Sequence, residues 1–240
     1  MTLRELSLPV KVLFSCFLIT IGVGYLFAIT YLYLMDLEPH TKHGDSVLES
    51  VILKFYGNRG TSKLEAALNG IMSVHITPSQ KKEVFDWIRN GATESGFAAV
   101  QPIFLDTCAK CHSKESGMSI PPLTTYEEVT AYTQVDMGES FRSLVRVSHI
   151  HLFGMSFIFL LTGGIFVLSE VKLWWRALLV AIPFASIWMD IGSWWFTKLQ
   201  PVFAYTVIIG GGLMGLALAS QIFLSLYEMW LKKAHDEKVA

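Results

Sequence analysis

Four long apolar runs, residues 12–35, 150–169, 177–197 and 202–227, decide what this chain can fold into. A helix needs roughly 20 predominantly apolar residues to cross the hydrocarbon core of a bilayer, and every run meets that length. One such run could be a buried core helix, but four together in 240 residues cannot. At 52% hydrophobic and 16% charged, the chain is too apolar for an ordinary soluble domain. The third run carries a single charge, Asp190. The expected fold is therefore an all-α membrane protein with four transmembrane helices.

Basic residues near the ends of the runs predict the orientation. Arg4 and Lys11 precede the first run, Lys172 and Arg176 separate the second from the third, and Lys232, Lys233 and Lys238 follow the fourth. Only Lys198 lies in the short turn between the third and fourth. The positive-inside tendency then puts both termini in the cytoplasm. Three parts follow: an N-terminal anchor over 1–35, an outer domain over 36–147 inserted between the first two spans, and a three-helix bundle over 148–240. The first apolar stretch is too long for a signal h-region and no A-x-A-like site follows it, so it reads as an uncleaved anchor. Trp188, Trp194 and Trp195 toward one face, and Trp174, Trp175 and Trp230 toward the other, read as interfacial belts. A net charge of −1 gives no reason to expect a nucleic acid partner.

The outer segment reads as short helices. Ser46 with Glu49, Ser62 with Glu65, Thr77 with Gln80, and Thr124 with Glu127 fit the capping box, in which the first side chain bonds a free amide and the fourth reaches back. Pro78 sits where proline suits a first turn, and Gly91 where a left-handed C-cap is common. Val47, Leu48, Val51, Ile52 and Phe55 give one helix an apolar face. No strand pattern, repeat or low-complexity stretch stands out.

Within that segment Cys108-Ala109-Lys110-Cys111-His112 spells C-x-x-C-H, the spacing that lets two thiols on one helical turn meet the vinyl groups of a haem while the next imidazole ligates its iron. A zinc site would require two more Cys or His ligands at finger-like spacing, and the only other cysteine, Cys16, lies far upstream in an apolar run. From Gly96 onward, Val100, Ile103 and Phe104, the C-x-x-C-H segment, Gly117 and Pro121-Pro122-Leu123 resemble the haem-binding part of small soluble cytochromes c. The resemblance implies one covalent haem c held by Cys108, Cys111 and His112. It also implies a carbonyl beside the later proline that takes the proximal imidazole N–H. The likeness covers fewer than about thirty residues, of which only the five-residue motif is specific. Those cytochromes place their distal methionine well downstream, whereas here the second span follows instead.

The sixth iron ligand therefore has its own candidates: Met72, His75, Met118, Met137, and His149 with His151. Met72 is favoured, because Gly70 lets its helix approach a macrocycle closely and a methionine ligand raises the potential. His40, His43, His149 and His151 lie at one membrane depth and have the chemistry for a second metal or haem. Asp190, an acid inside a span, is a functional candidate by default. It is expected near the outer face with His149 and His151, where the three would accept protons from a quinol. Gly210, Gly211, Gly212 and Gly215 are expected to pack helices. The expected function is a membrane-bound c-type cytochrome subunit in a bacterial inner membrane. It would relay electrons between quinol, or another subunit of an integral membrane complex, and a periplasmic carrier. The alternative is a haem-containing sensor or assembly subunit.

Overall fold

The computed structural model describes residues 2–38 and 46–232. Every regular element among them is helical. A lone bridge pairs Ser62 with Val135. The chain divides into two compact units, one formed by Met1–Met35 with Ser140–Ala240, the other by Asp36–Glu139.

The first unit holds four helices long and apolar enough to cross a membrane. Helix α1 runs Leu8–Leu32 and continues as a wider turn over Tyr33–Leu37. The others, labelled here in chain order after the small helices of the second unit, are α7 (Phe141–Phe166), α8 (Leu173–Thr197) and α9 (Ala204–Trp230). Helix α7 starts well before its apolar run. The Oγ of Ser140 accepts from the Ser143 amide and caps it there, so residues 141–147 are part of the same helix as the apolar run. A cluster of Leu3, Leu18, Ile165, Leu218, Ile222 and Met229 packs α1 against α7 and α9.

Glycines set the closest approaches. A Cβ on Gly210 would lie 3.1 Å from the Cβ of Asp190 and 3.2 Å from its Cα and N, so α9 rests directly on the backbone of α8 there. Gly215 meets the Tyr25 ring of α1, while Gly211 and Gly212 have nothing within 4 Å. The expected packing role thus falls on two of the four glycines, Gly210 and Gly215. Pro183 interrupts the bonding of α8, because it has no amide hydrogen to give the carbonyl of Leu179. Gln221 of α9 supplies the missing donor, its Nε2 lying 2.7 Å from that oxygen.

The second unit contains α2 (Val47–Phe55), α3 (Lys63–Asn69), α4 (Pro78–Arg89), α5 (Glu94–Ile103) and α6 (Tyr126–Thr130). Capping boxes start α2, α3 and α4 at Ser46, Ser62 and Thr77 as expected. The fourth box is displaced by one residue: Thr125, not Thr124, caps α6, with Glu128 rather than Glu127 reaching back. The Glu128 carboxylate takes the Thr124 amide, the Thr124 hydroxyl and the Thr125 amide together, which the earlier register does not permit. Gly91 turns left-handed at φ 90° after α4. Trp87, Phe97 and Phe104 form the aromatic centre of the core, with ring centroids 5.5 to 6.5 Å apart. Leu64, Leu68, Val84, Val100, Ile103 and Val129 surround them.

Candidate functional site

Helix α5 delivers the cysteine motif. It runs out of Pro102 into a five-residue π turn, Phe104–Cys108, closed by the Ala109 amide on the Phe104 carbonyl at 2.8 Å. Phe104 on that turn is 1% exposed and anchors it to the core, so the position of Cys108 is fixed by packing. The next turn is tight: the amides of Cys111 and His112 both donate to the Cys108 carbonyl, at 3.1 and 2.8 Å. Cys108 is half-buried against the core and Cys111 is exposed. Burial pushes the Cys108 thiol above its usual range, so it stays protonated at neutral pH.

The imidazole of His112 is fixed from behind. Its Nδ1 lies 2.8 Å from the carbonyl oxygen of Pro121. A carbonyl only accepts, so the proton sits on Nδ1 and Nε2 keeps its lone pair for a ligand. Gly117, left-handed at φ 69°, turns the intervening loop back, and the Leu123 amide donating to the His112 carbonyl at 2.8 Å closes it. The accepting oxygen belongs to Pro121, within the Pro121-Pro122 stretch on which the resemblance rests.

Met72 follows Gly70 and precedes the short turn Ser73–His75. It is half-buried and packs on the same core cluster as Cys108. Met118 and Met137 are exposed instead, at 55% and 45%. Large apolar side chains flank the motif and Met72 along the chain without cover: Ile71, Val74, Leu105, Met118 and Ile120.

In the membrane unit, α8 buries Ser186, Asp190, Ser193, Trp194 and Thr197 on one face. The indole Nε1 of Trp194 donates to Asp190 Oδ1 at 3.0 Å. The ring of His151, from α7, stands edge-on to Trp194 at 5.5 Å. Trp194 thus joins two of the three expected proton-accepting residues. His149 and His151 are both exposed, with Nδ1 3.3 and 2.9 Å from the Val145 and Val147 carbonyls of their own helix, and what separates them is the ring contact of His151 with Trp194. Beside them Ser193 and Thr206 share a hydrogen bond of 2.6 Å, and Trp195 donates to Ser148 at 3.1 Å. His40 and His43 lie outside the described residues. Among the described residues no three His, Cys, Asp or Glu side chains converge as metal ligands.

The bridging role of Trp194 was not legible in the chain. The i, i+4 spacing from Asp190 was a usable signal, but a tryptophan near a span end reads first as a belt residue. A second feature unforeseen from sequence is the charged cluster at the Trp230 end of the bundle. There Lys232 pairs with Glu170 at 2.7 Å and Arg4 with Glu170 at 3.5 Å, while Glu228 accepts the Glu170 amide at 2.7 Å.

A family model described as a transmembrane helical domain matches residues 128–236, the stretch that holds α7, α8 and α9. No curated protein matches the chain, and no solved structure does. With the four long apolar helices, this makes the chain a multi-pass, all-helical membrane protein.

Proposed function

We propose that the protein is a membrane-bound c-type cytochrome subunit of a bacterial inner membrane, with one haem c carried by Asp36–Glu139 on the periplasmic side. Its work is to relay electrons between quinol, or an integral membrane partner, and a periplasmic carrier. The observation that carries the reading is the single turn Cys108–His112, with the Pro121 carbonyl holding Nδ1 at 2.8 Å and Nε2 left to ligate. A structural zinc site would need more ligands than two thiols and one imidazole, and no such set converges among the described residues.

The residues fit the group. Cys108 and Cys111 would hold it by thioether bonds, and His112 Nε2 would take one axial position. The Pro121 carbonyl would fix the tautomer and raise the basicity of the imidazole, as outer-shell acceptors do. Ile71, Val74, Leu105, Met118 and Ile120 are exposed apolar side chains near the motif and Met72 in sequence, of the kind a macrocycle would cover. Met72 is the proposed distal ligand, since it packs on the same core cluster as Cys108, whereas Met118 and Met137 are exposed. Bound there, haem would supply a one-electron carrier whose potential the axial pair and burial set. In the membrane unit, a quinol that surrenders two electrons also surrenders two protons. Asp190 and His151, joined through Trp194, are proposed to accept them, since a carboxylate oxygen and an imidazole nitrogen can each take a proton.

The test is expression of the full chain with a haem-attachment system, followed by a denaturing gel stained for haem peroxidase activity. One stained band at the mass of the chain is expected, and it is lost in Cys108→Ala with Cys111→Ala. A purified native chain without covalent haem overturns the reading.

A further inference from the structure

The seam between α8 and α9 carries buried polar groups toward both ends, Ser186 belonging with the Asp190 group, and an apolar stretch at Pro183 and Ala217 separates them. Two contacts fix its register: Gly210 lies on the backbone of Asp190, and Gln221 donates to the Leu179 carbonyl. Eleven residues separate Gly210 from Gln221, about three turns, so the same face of α9 presents Met214 and Ala217 in between. Opposite them α8 has Pro183, buried like Ala217, with the buried Ser186 one turn nearer Asp190. Toward Thr197 the seam holds Asp190, Ser193 and Thr206. Toward Trp230 it holds Gln221, Ser225 and Glu228 on α9, with Ser169 just beyond α7.

That second group is incompletely bonded. Gln221 spends its amide nitrogen on Leu179, and its Oε1 then has no partner. The hydroxyls of Ser225 and Ser169 have none either. These three residues are 1%, 0% and 1% exposed. Each orphaned polar atom in a dry interior would cost about 1–3 kcal/mol. Such groups, spaced along about 10 Å of helix between Gln221 and Glu228, are what buried water satisfies. Glu228, 4% exposed, closes the line. Its carboxylate faces the Glu170 amide and the Lys232 ammonium, and Arg4 pairs with Glu170 beside it. Lys232 and Glu170 are partly exposed, so the line meets solvent at that end.

We propose that Glu228, Ser225, Ser169 and Gln221 line a water-filled proton half-channel that enters the bundle from the Trp230 end. Met214, Ala217 and Pro183 stop it as an apolar plug before the polar face of Asp190. A proton advances by each oxygen accepting one hydrogen and passing on another, so no other bond changes and nothing is oxidised. Polar and ionisable side chains inside spans mark such relays. The plug keeps the membrane from leaking. The proposal stands on the seam alone and needs neither haem nor quinol.

The full chain is reconstituted into phosphatidylcholine and phosphatidylglycerol liposomes loaded with pyranine, and a potassium diffusion potential set by valinomycin drives proton influx. The parent protein is expected to match protein-free liposomes. Met214→Gln with Ala217→Ser places oxygens in the plug at nearly constant volume and is expected to raise influx several-fold. Adding Ser225→Ala is expected to abolish most of the rise. Ala217→Ser alone, the smallest change, gives a smaller rise in the same direction should the double variant fold poorly. Three flux results overturn the proposal: plug variants no more permeable than the parent, a leak that Ser225→Ala does not lower, or a parent as leaky as the plug variant. The thermal midpoint of Ser225→Ala is an independent readout. A hydrated hydroxyl predicts no gain in stability on its removal, whereas a gain marks a dry, unsatisfied group and also overturns the half-channel.

Discussion

Adding one methyl group to each of three successive glycines separates helix packing from helix propensity. Gly210, Gly211 and Gly212 all lie inside α9, so Gly→Ala at each gains up to about 1 kcal/mol of helix propensity. Only Gly210 faces a neighbour. Its new Cβ would stand 3.1–3.2 Å from the Cβ, Cα and N of Asp190, while Gly211 and Gly212 meet nothing within 4 Å. Two of the three close atoms are backbone, so α8 and α9 must part by a few tenths of an ångström. Overpacking of this kind costs about 1–3 kcal/mol. Gly211→Ala and Gly212→Ala are thus expected to be more stable than the parent by about 1 kcal/mol at most. Gly210→Ala should fall about 1–3 kcal/mol below them, on the order of 2–12 °C in thermal midpoint. Thermal unfolding of the purified full chain in detergent micelles measures all three. If Gly210→Ala melts at or above Gly211→Ala, the close packing of α9 on Asp190 is refuted.

In the second unit, Gly138→Ala should be strongly destabilising. Its φ is +67°, and a Cβ would come within 2.3 Å of the Phe55 carbonyl oxygen, a backbone atom that cannot swing away. A loss above about 3 kcal/mol in denaturant unfolding is expected from overpacking and strain combined, and a loss under about 1 kcal/mol refutes it. Asp190→Asn and His151→Ala should each slow quinol-driven haem reduction in membranes, with His149→Ala closer to parental. Parental rates in Asp190→Asn sink the proton-accepting role. The ion cluster at the Trp230 end gives a signed pH dependence. A hydrogen bond from Lys232 holds the Glu170 carboxyl below its usual range, and the same bond holds the Lys232 ammonium above its own. The Glu170 contribution is present above the unfolded carboxyl value, about 4.3, and is lost as pH falls through the depressed folded value. The Lys232 contribution is present below about 10.4 and is lost as pH rises through the elevated one. Lys232→Met should therefore lower the thermal midpoint between those limits and flatten both flanks; an unchanged pH profile refutes the pairing.

How much of this was legible in the chain depends on the distance over which each interaction acts. Helix starts at Ser46, Ser62 and Thr77 were readable, because a capping box closes within three residues and needs no tertiary partner. The box near α6 slipped by one, because Thr124-Thr125-Tyr126-Glu127-Glu128 fits the pattern in two registers. The choice between them lies in the three bonds gathered by Glu128. A carbonyl behind His112 is an expectation of the resemblance alone, and the Pro121 oxygen that lies there comes from a loop nine residues on. The spans were found by length and polarity alone, but their ends were not. Ser140 starts α7 ahead of the apolar run, since capping is local while the membrane imposes only a minimum length.

What the sequence hid are pairings between helices. Pro183 in an apolar run announces a missing hydrogen bond, yet nothing near it says what replaces that bond. The replacement is Gln221, 42 residues after the carbonyl it serves. Its value can be argued from the alternative. Without an amide on α9 at that level, Leu179 would present an unpaired carbonyl inside the bundle, at the same order of cost as losing the hydrogen bond itself. A leucine at 221 would have no amide to offer and would leave the Leu179 carbonyl without that donor. A glutamine there supplies it, and because an amide carries an oxygen as well as a nitrogen, it necessarily leaves a second polar atom facing the seam. The proline in one helix therefore accounts for a polar residue in another, and that residue in turn calls for water beside Ser225 and Glu228.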